Sequence, residues 1–265
     1  MTIGFIGCGN MATAIISGII KNGAFKANEV CAYDVNSSAT EKAQSSFGIT
    51  PMESECDVVN NSDIVVLAVK PNVLANVLKT INNELAKKDT LLISIAAGKT
   101  TDFIYQQIST ENRIIRVMPN INATVGEAIC GYTANKFATN EDKQEAERIF
   151  SSVGKVIYLE ENYFPLFGVL GGCAPAYAYM FIDALARAGV ENGMKKDVAL
   201  EIAAQTVLGS AKMILESNEH PWELIDKVCS PGGTTIEGVL SLQADSFESA
   251  VHNAVNKAVE KDSKL

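Results

Sequence analysis

The most constraining feature of this chain stands at its start. An apolar run, Ile3-Gly4-Phe5-Ile6, breaks into Gly7-Cys8-Gly9-Asn10-Met11-Ala12 and resumes with Ala14, Ile15, Ile16 and Ile19 at helical spacing. A strand, a glycine turn and a helix in that order open a strand–helix–strand unit. Gly7 permits the tight turn, Gly9 lets phosphates approach the backbone, and small Ala12 lets the helix pack closely on the strand. N–H groups at the helix start face an anion, and the helix dipole adds to the attraction. A lone G-x-G-x-x-A also suits a plain turn, but at the head of such a unit it predicts a dinucleotide pyrophosphate. Ile6, Gly7, Cys8, Gly9, Asn10 and Met11 would hold it.

The rest of the first half extends that reading. Short β-branched apolar runs at residues 2–6, 30–33, 64–68, 91–95, 114–117 and 155–158 alternate with amphipathic stretches, the pattern of parallel strands joined by crossover helices. The runs are apolar throughout, as expected where helices cover both faces of a sheet. The second run ends at Asp34, where an acid commonly bonds the ribose hydroxyls of NAD and repels a 2′-phosphate. Asn36, Ser37 and Ser38 follow it and offer hydrogen bonds to such a phosphate, so the cofactor reads as NADPH or NADH. Val69-Lys70-Pro71, Ala96-Ala97 and Met118-Pro119 each stand at a strand C-terminus, the edge where open doubly wound sheets bind ligands. They are further candidate cofactor residues.

After Glu160-Glu161 the texture changes to Ala-rich segments with helical spacing, among them residues 177–188, 197–215, 234–243 and 246–260. The expected architecture is α/β: a Rossmann-type doubly wound domain over residues 1–160, then an all-α domain over residues 161–265. So short a helical half with so much apolar surface predicts burial against another subunit, a homodimer or higher homo-oligomer through these helices.

Composition removes other classes. Thirty-one acidic against 22 basic residues give a net charge of -9, which repels a nucleic-acid backbone. The six cysteines are scattered, and with only two histidines the chain offers no metal site. The unbroken apolar runs, such as residues 64–69, are too short to cross a bilayer. Without a leader pattern at its start the chain reads as cytoplasmic, with reduced thiols and no membrane partner.

In order along the chain, Phe5-Ile6-Gly7-Cys8-Gly9-Asn10-Met11, Ala68-Val69-Lys70-Pro71, Ser94-Ile95-Ala96-Ala97-Gly98, Arg116-Val117-Met118-Pro119-Asn120, Pro175-Ala176-Tyr177 and Ser230-Pro231-Gly232-Gly233-Thr234-Thr235 resemble the pyrroline-5-carboxylate reductase family. The likeness covers essentially the whole chain, and its last motif is the most specific. It implies NAD(P)H-dependent reduction of pyrroline-5-carboxylate to L-proline, the final step of proline biosynthesis, by hydride transfer to the C=N carbon. It places the substrate carboxylate on Ser230, Gly232, Gly233, Thr234 and Thr235, with the Thr235 hydroxyl near the ring nitrogen. The residues themselves suit an anion, because a Pro-Gly-Gly turn before a helical segment leaves N–H groups free to converge on it. Glu161 matches a family position whose carboxylate lies near that nitrogen, where an anion favours the iminium. Thr235 and Glu161 are thus the expected catalytic residues.

Two departures stand out. Gly171-Gly172-Cys173-Ala174 precedes Pro-Ala-Tyr where family members often carry Ser-Gly-Ser-Gly, and Cys229 replaces a common threonine or serine. A β-hydroxyacid dehydrogenase or a broader imine reductase would share the build. Such dehydrogenases use a lysine of the helical domain, and of Lys195, Lys196 and Lys212 only Lys212 falls inside a predicted helix. A non-catalytic dinucleotide sensor would have no use for residues 230–235.

Overall fold

The computed structural model describes residues 1–262. Two compact units are present, Met1–Gly172 and a second from Cys173 onward.

In the first unit the elements run β1 (Ile3–Ile6), α1 (Asn10–Lys21), β2 (Val30–Tyr33), α2 (Ser37–Phe47), β3 (Thr50–Pro51), α3 (Glu55–Asn61), β4 (Ile64–Leu67), α4 (Leu74–Leu85), β5 (Leu91–Ser94), α5 (Thr101–Gln107), β6 (Ile114–Met118), β7 (Ala128–Ala134), α6 (Asn140–Phe150), β8 (Gly154–Tyr158) and α7 (Phe164–Phe167). A π-helical segment, Gly168–Cys173, follows. The sheet order is β3-β2-β1-β4-β5-β6-β7-β8. Strands run outward in both directions from β1 and β4, which creates the switch point where doubly wound sheets bind ligands.

Unbroken apolar strands are explained by two cores. Ile64 and Val66 of β4 enter one, with Ile15, Ile16 and Ile19 of α1 and Ile149 and Phe150 of α6. Val65 and Leu67 enter the other, with Val58 and Val59 of α3, Leu78 and Ile81 of α4 and Ile104 of α5. Alternate residues of β4 thus face opposite helical layers, which explains why the strand is apolar at every position. Each fully buried Ile contributes roughly 1.5–3 kcal/mol, and Ile16→Ala would cost about 2–5 kcal/mol through the cavity it leaves.

All six predicted strands form, with ends shifted by at most one residue. Two further strands were not expected. β3 is only a two-residue edge pairing that includes Pro51. β7 pairs antiparallel to β6 and parallel to β8, and its Gly131, Thr133 and alanines dilute the β-branched signal.

The second unit contains α8 (Ala174–Glu191), α9 (Lys196–Glu216), α10 (Pro221–Val228), α11 (Thr234–Ala244) and α12 (Phe247–Asp262). α8 and α9 meet through small residues: Ala186, Ala199 and Ala203 are buried with Ile182 packed on them, and a Cβ on Gly189 would lie 3.1 Å from that of Ala199. α10 was not expected. Pro221 starts it, and His220 completes a capping box, accepting the Trp222 N–H on Nδ1 while its own N–H donates to Glu223.

Much apolar surface stays outside this unit. Met180 is 72% exposed, Ile202 51% and Leu208 57%. By length and mean hydropathy (1.4 each), Glu161–Glu191 and Lys196–Glu216 are long and apolar enough to cross a bilayer, with 17% and 11% of their most apolar windows buried. The reading of unbroken apolar runs did not register this, because scattered glycines, alanines and single charges interrupt a run without making a helix polar.

Candidate functional site

The glycine turn is fixed from three strands. The Gly7 N–H donates to Tyr33 O at 2.8 Å, and the Ala68 N–H donates to Ile6 O at 2.9 Å. Gly7 has φ +103, and a Cβ there would lie 2.5 Å from the Ala68 carbonyl oxygen, so no other residue fits. Gly9 is the N-cap of α1, and no side chain caps that helix start. A Cβ on Gly9 would meet no protein atom within 4 Å. Uncapped N–H groups beside open space, with Asn10 and Met11 opening the helix, suit the pyrophosphate of a dinucleotide.

Cys8 serves the turn through its backbone, whose N–H donates to Asp34 Oδ2 at 2.7 Å. Its side chain is buried, and burial pushes the thiol up to about 11; the Thr40 hydroxyl pulls the other way and the Asp34 charge adds to the rise. The thiol therefore stays protonated and offers no nucleophile.

Asp34 spends its second oxygen on the Asn36 N–H at 2.9 Å. It lines a cavity of about 290 Å³ at the switch point with Ile6, Gly7, Tyr33, Glu55 and Val69. No lysine or arginine is among the lining residues. Burial raises the Tyr33 phenol, and the Glu55 and Asp34 charges raise it further. α2 is capped by Asn36, which accepts the Ser38 N–H at 3.3 Å. Glu55 lines the same cavity and was missed in the sequence, since neither glycine nor proline marks its position.

The remaining candidate cofactor residues fall at the C-terminal ends of β4, β5 and β6, Met118 as the last strand residue and the others on the loops beyond. Val69 is half-buried while Lys70 is exposed ahead of Pro71, in a turn closed by the Val73 N–H on Lys70 O at 3.0 Å. Ala96 is buried and Ala97 exposed. Met118 ends β6, and after Pro119 the Asn120 amide donates to Gly171 O at 2.9 Å, pinning the π-helical segment.

Glu161 is tied on both oxygens. Oε1 accepts the Thr101 N–H at 2.9 Å and pairs with Arg116 Nη1 at 3.1 Å, and Oε2 accepts the Thr101 hydroxyl at 2.9 Å. The Arg116 guanidinium lies 4.2 Å from the centre of the Phe164 ring. Thr101 was passed over in the sequence, and Arg116 stood in the motif Arg116–Asn120 without a role of its own; both are partners of Glu161.

In the second unit, Ser230, Gly232 and Gly233 form a tight turn in which the Gly233 N–H donates to Ser230 O at 3.0 Å. Gly232 has φ +69, and a Cβ on Gly233 would lie 2.4 Å from Ser230 Oγ. Gly233 is the N-cap of α11 and again no side chain caps the helix. Thr234 and Thr235, both exposed, are its first two residues. His220 is occupied in its capping box.

Comparison with known proteins covers both units. The family model described as pyrroline-5-carboxylate reductase dimerisation matches residues 161–265, and one described as NADP oxidoreductase, coenzyme F420-dependent, matches residues 2–98. The chain is 42% identical to the pyrroline-5-carboxylate reductase of Escherichia coli over 99% of this chain and 97% of that protein. Its fold is similar to a solved pyrroline-5-carboxylate reductase of Coxiella burnetii, with TM-score 0.94 and 32% identity over 99% of this chain and 97% of that one. A Plasmodium falciparum pyrroline carboxylate reductase solved with NADP bound gives TM-score 0.86 and 34% identity over 99% and 97%.

Proposed function

The chain belongs to the pyrroline-5-carboxylate reductase family, and from that premise we propose how its residues share the work. It is an oxidoreductase that reduces pyrroline-5-carboxylate to L-proline with NAD(P)H, the final step of proline biosynthesis. The reduced nicotinamide supplies the hydride that goes to the C=N carbon. What the protein supplies is binding and orientation, which account for most of the acceleration in such a transfer.

The first helix start, at residues 7–12, holds the pyrophosphate. Val69, Lys70, Pro71, Ala96, Ala97, Met118 and Pro119 border the rest of the cofactor from the C-terminal edge of the sheet. Asp34 takes the ribose hydroxyls. With Glu55 beside it and no cation in the cavity lining, NADH is the preferred cofactor.

The second helix start holds the substrate. The observation that carries this is the uncapped N-terminus of α11 behind a turn that has Gly232 at φ +69. The N–H groups of Thr234 and Thr235 and the Ser230 hydroxyl are suited to a carboxylate, while the Gly233 N–H closes the turn on Ser230 O. The Thr235 hydroxyl bonds the ring nitrogen, which carries its proton before the hydride arrives, so no strong buried acid is needed.

The functional division falls at residues 160 and 161, where the dimerisation model begins. The exposed apolar faces of α8 and α9 form the interface of a homodimer or higher homo-oligomer. The scattered cysteines of the sequence suit a cytoplasmic setting, and the net charge of -9 argues against a nucleic-acid partner.

The test is an absorbance assay of cofactor oxidation with pyrroline-5-carboxylate, run separately with NADH and NADPH. Oxidation that depends on the imino acid supports the reading. Oxidation only with small hydroxy-acid partners, or only with larger cyclic imines, overturns it.

A further inference from the structure

Glu161 is built into its surroundings more firmly than a group acting only on substrate requires. One carboxylate joins three segments: the first residue of α5 through both the N–H and the hydroxyl of Thr101, β6 through Arg116, and its own segment ahead of α7. Arg116 is nearly buried, 6% exposed at its side chain, and stacks on Phe164, so the cation itself is braced.

What this junction holds is the loop between β5 and α5. The near end of that loop is tied to the sheet, with the Ile95 N–H on Leu67 O at 3.1 Å and the Ala96 N–H on Ser94 Oγ at 3.3 Å. Beyond it, the N–H groups of Ala97, Gly98 and Lys99 have no backbone partner among the described residues, and Gly98 has φ +69. Thr100 caps α5 by accepting the Phe103 N–H, a local bond that does not tie the loop to the sheet. The far anchor of the loop is therefore Thr101, and Thr101 is held by Glu161.

We propose that Glu161, braced by Arg116, is a positioning residue that sets residues 96–100 at the cofactor edge of the sheet through Thr101, rather than a group acting at the imine nitrogen. This rests on the reductase reading above. The carboxylate spends both oxygens on protein donors and has a guanidinium against it, so its charge is compensated where it stands.

The experiment uses Thr101→Val, Thr101→Ser and Glu161→Gln in the full chain. NADH affinity is measured by fluorescence titration, cofactor and substrate KM are measured separately from kcat, and kcat/KM for the imino acid is followed against pH. Thr101→Val and Glu161→Gln should weaken NADH by about five- to tenfold in both Kd and KM, the scale of one net hydrogen bond. Thr101→Ser keeps the hydroxyl and should stay within about twofold of the wild type, and all pH profiles should superimpose. Should Glu161→Gln not fold because Arg116 is left uncompensated, Thr101→Val, which keeps the ion pair, decides the matter. Wild-type NADH affinity in Thr101→Val overturns the proposal. So does an unchanged NADH Kd in Glu161→Gln with a shifted pH profile, which would put the carboxylate at the imine. A wild type that binds NADH without reducing pyrroline-5-carboxylate would remove the reductase reading, while the Kd comparison would still judge the clamp.

Discussion

The Asp34 carboxylate accepts the Cys8 N–H at 2.7 Å, tying the end of β2 to the glycine turn. With its other oxygen on Asn36, its charge is fixed at the edge of a cavity that also receives Glu55. Two unit charges about 4 Å apart repel by about 4 kcal/mol at intermediate polarity, so a 2′-phosphate is disfavoured there. NADH should exceed NADPH in kcat/KM by about tenfold or more. Asp34→Ser, which retains a hydroxyl for the Cys8 N–H, should cut that ratio by about tenfold. An unaltered ratio would show that the charge does not set the preference.

Gly7 and Gly9 separate folding from binding. Gly7→Ala places a Cβ against the Ala68 carbonyl at positive φ, so unfolding free energy should drop by about 1–3 kcal/mol and cofactor binding should fail with it. Gly9→Ala meets no protein atom and should cost at most about 1 kcal/mol as an altered N-cap, yet NADH affinity should fall by tenfold or more on the order of a lost phosphate contact. Urea titrations and fluorescence titrations of both variants check this, and equal losses of stability would contradict it.

Alkaline pH should weaken the fold. Burial pushes the Cys8 thiol up to about 11 and the Cys130 thiol up to about 12, from an ordinary 9.0. Burial, followed by the hydrogen bond to Glu147, raises the Tyr132 phenol as well. The folded chain keeps protons that the unfolded chain releases, so this stability is whole below pH 9 and lost as pH climbs through 11 to 12. The urea midpoint should fall across that window, and more shallowly in Cys130→Ala. A slope identical in that variant would locate the effect elsewhere.

The apolar faces of α8 and α9 should be covered in solution. Sedimentation at micromolar concentration should give a multiple of 28.3 kDa, Tm should rise with protein concentration, and Met180→Glu or Leu208→Glu should lower the mass. A 28.3 kDa species that is stable and insensitive to concentration would contradict the interface.

What was legible in the sequence follows from range. Both helix-start turns could be read because each carries its glycines within a few consecutive residues: Gly7 and Gly9 in one, Gly232 and Gly233 in the other. Six strands could be read because covered faces demand unbroken apolar runs. β7 could not, since its antiparallel pairing depends on neighbours rather than on β-branched density. The Glu161 junction was also invisible: it joins residues 60 and 45 positions away, and although Arg116 opens a motif, neither it nor Thr101 carries a local sign of the pairing. The helices at 177–188 and 197–215 were read, but their bilayer-scale length was not, because small and single charged residues broke their apolar runs.

The most direct test of the substrate turn is Thr235→Ala, measured for turnover of pyrroline-5-carboxylate and, in parallel, for NADH Kd. Thr235 is exposed in the first turn of α11, so stability should change by no more than about 0.5 kcal/mol. The account predicts a fall in kcat of about tenfold or more with NADH Kd within about twofold of the wild type. Wild-type turnover, or equal loss in turnover and NADH affinity, would contradict it.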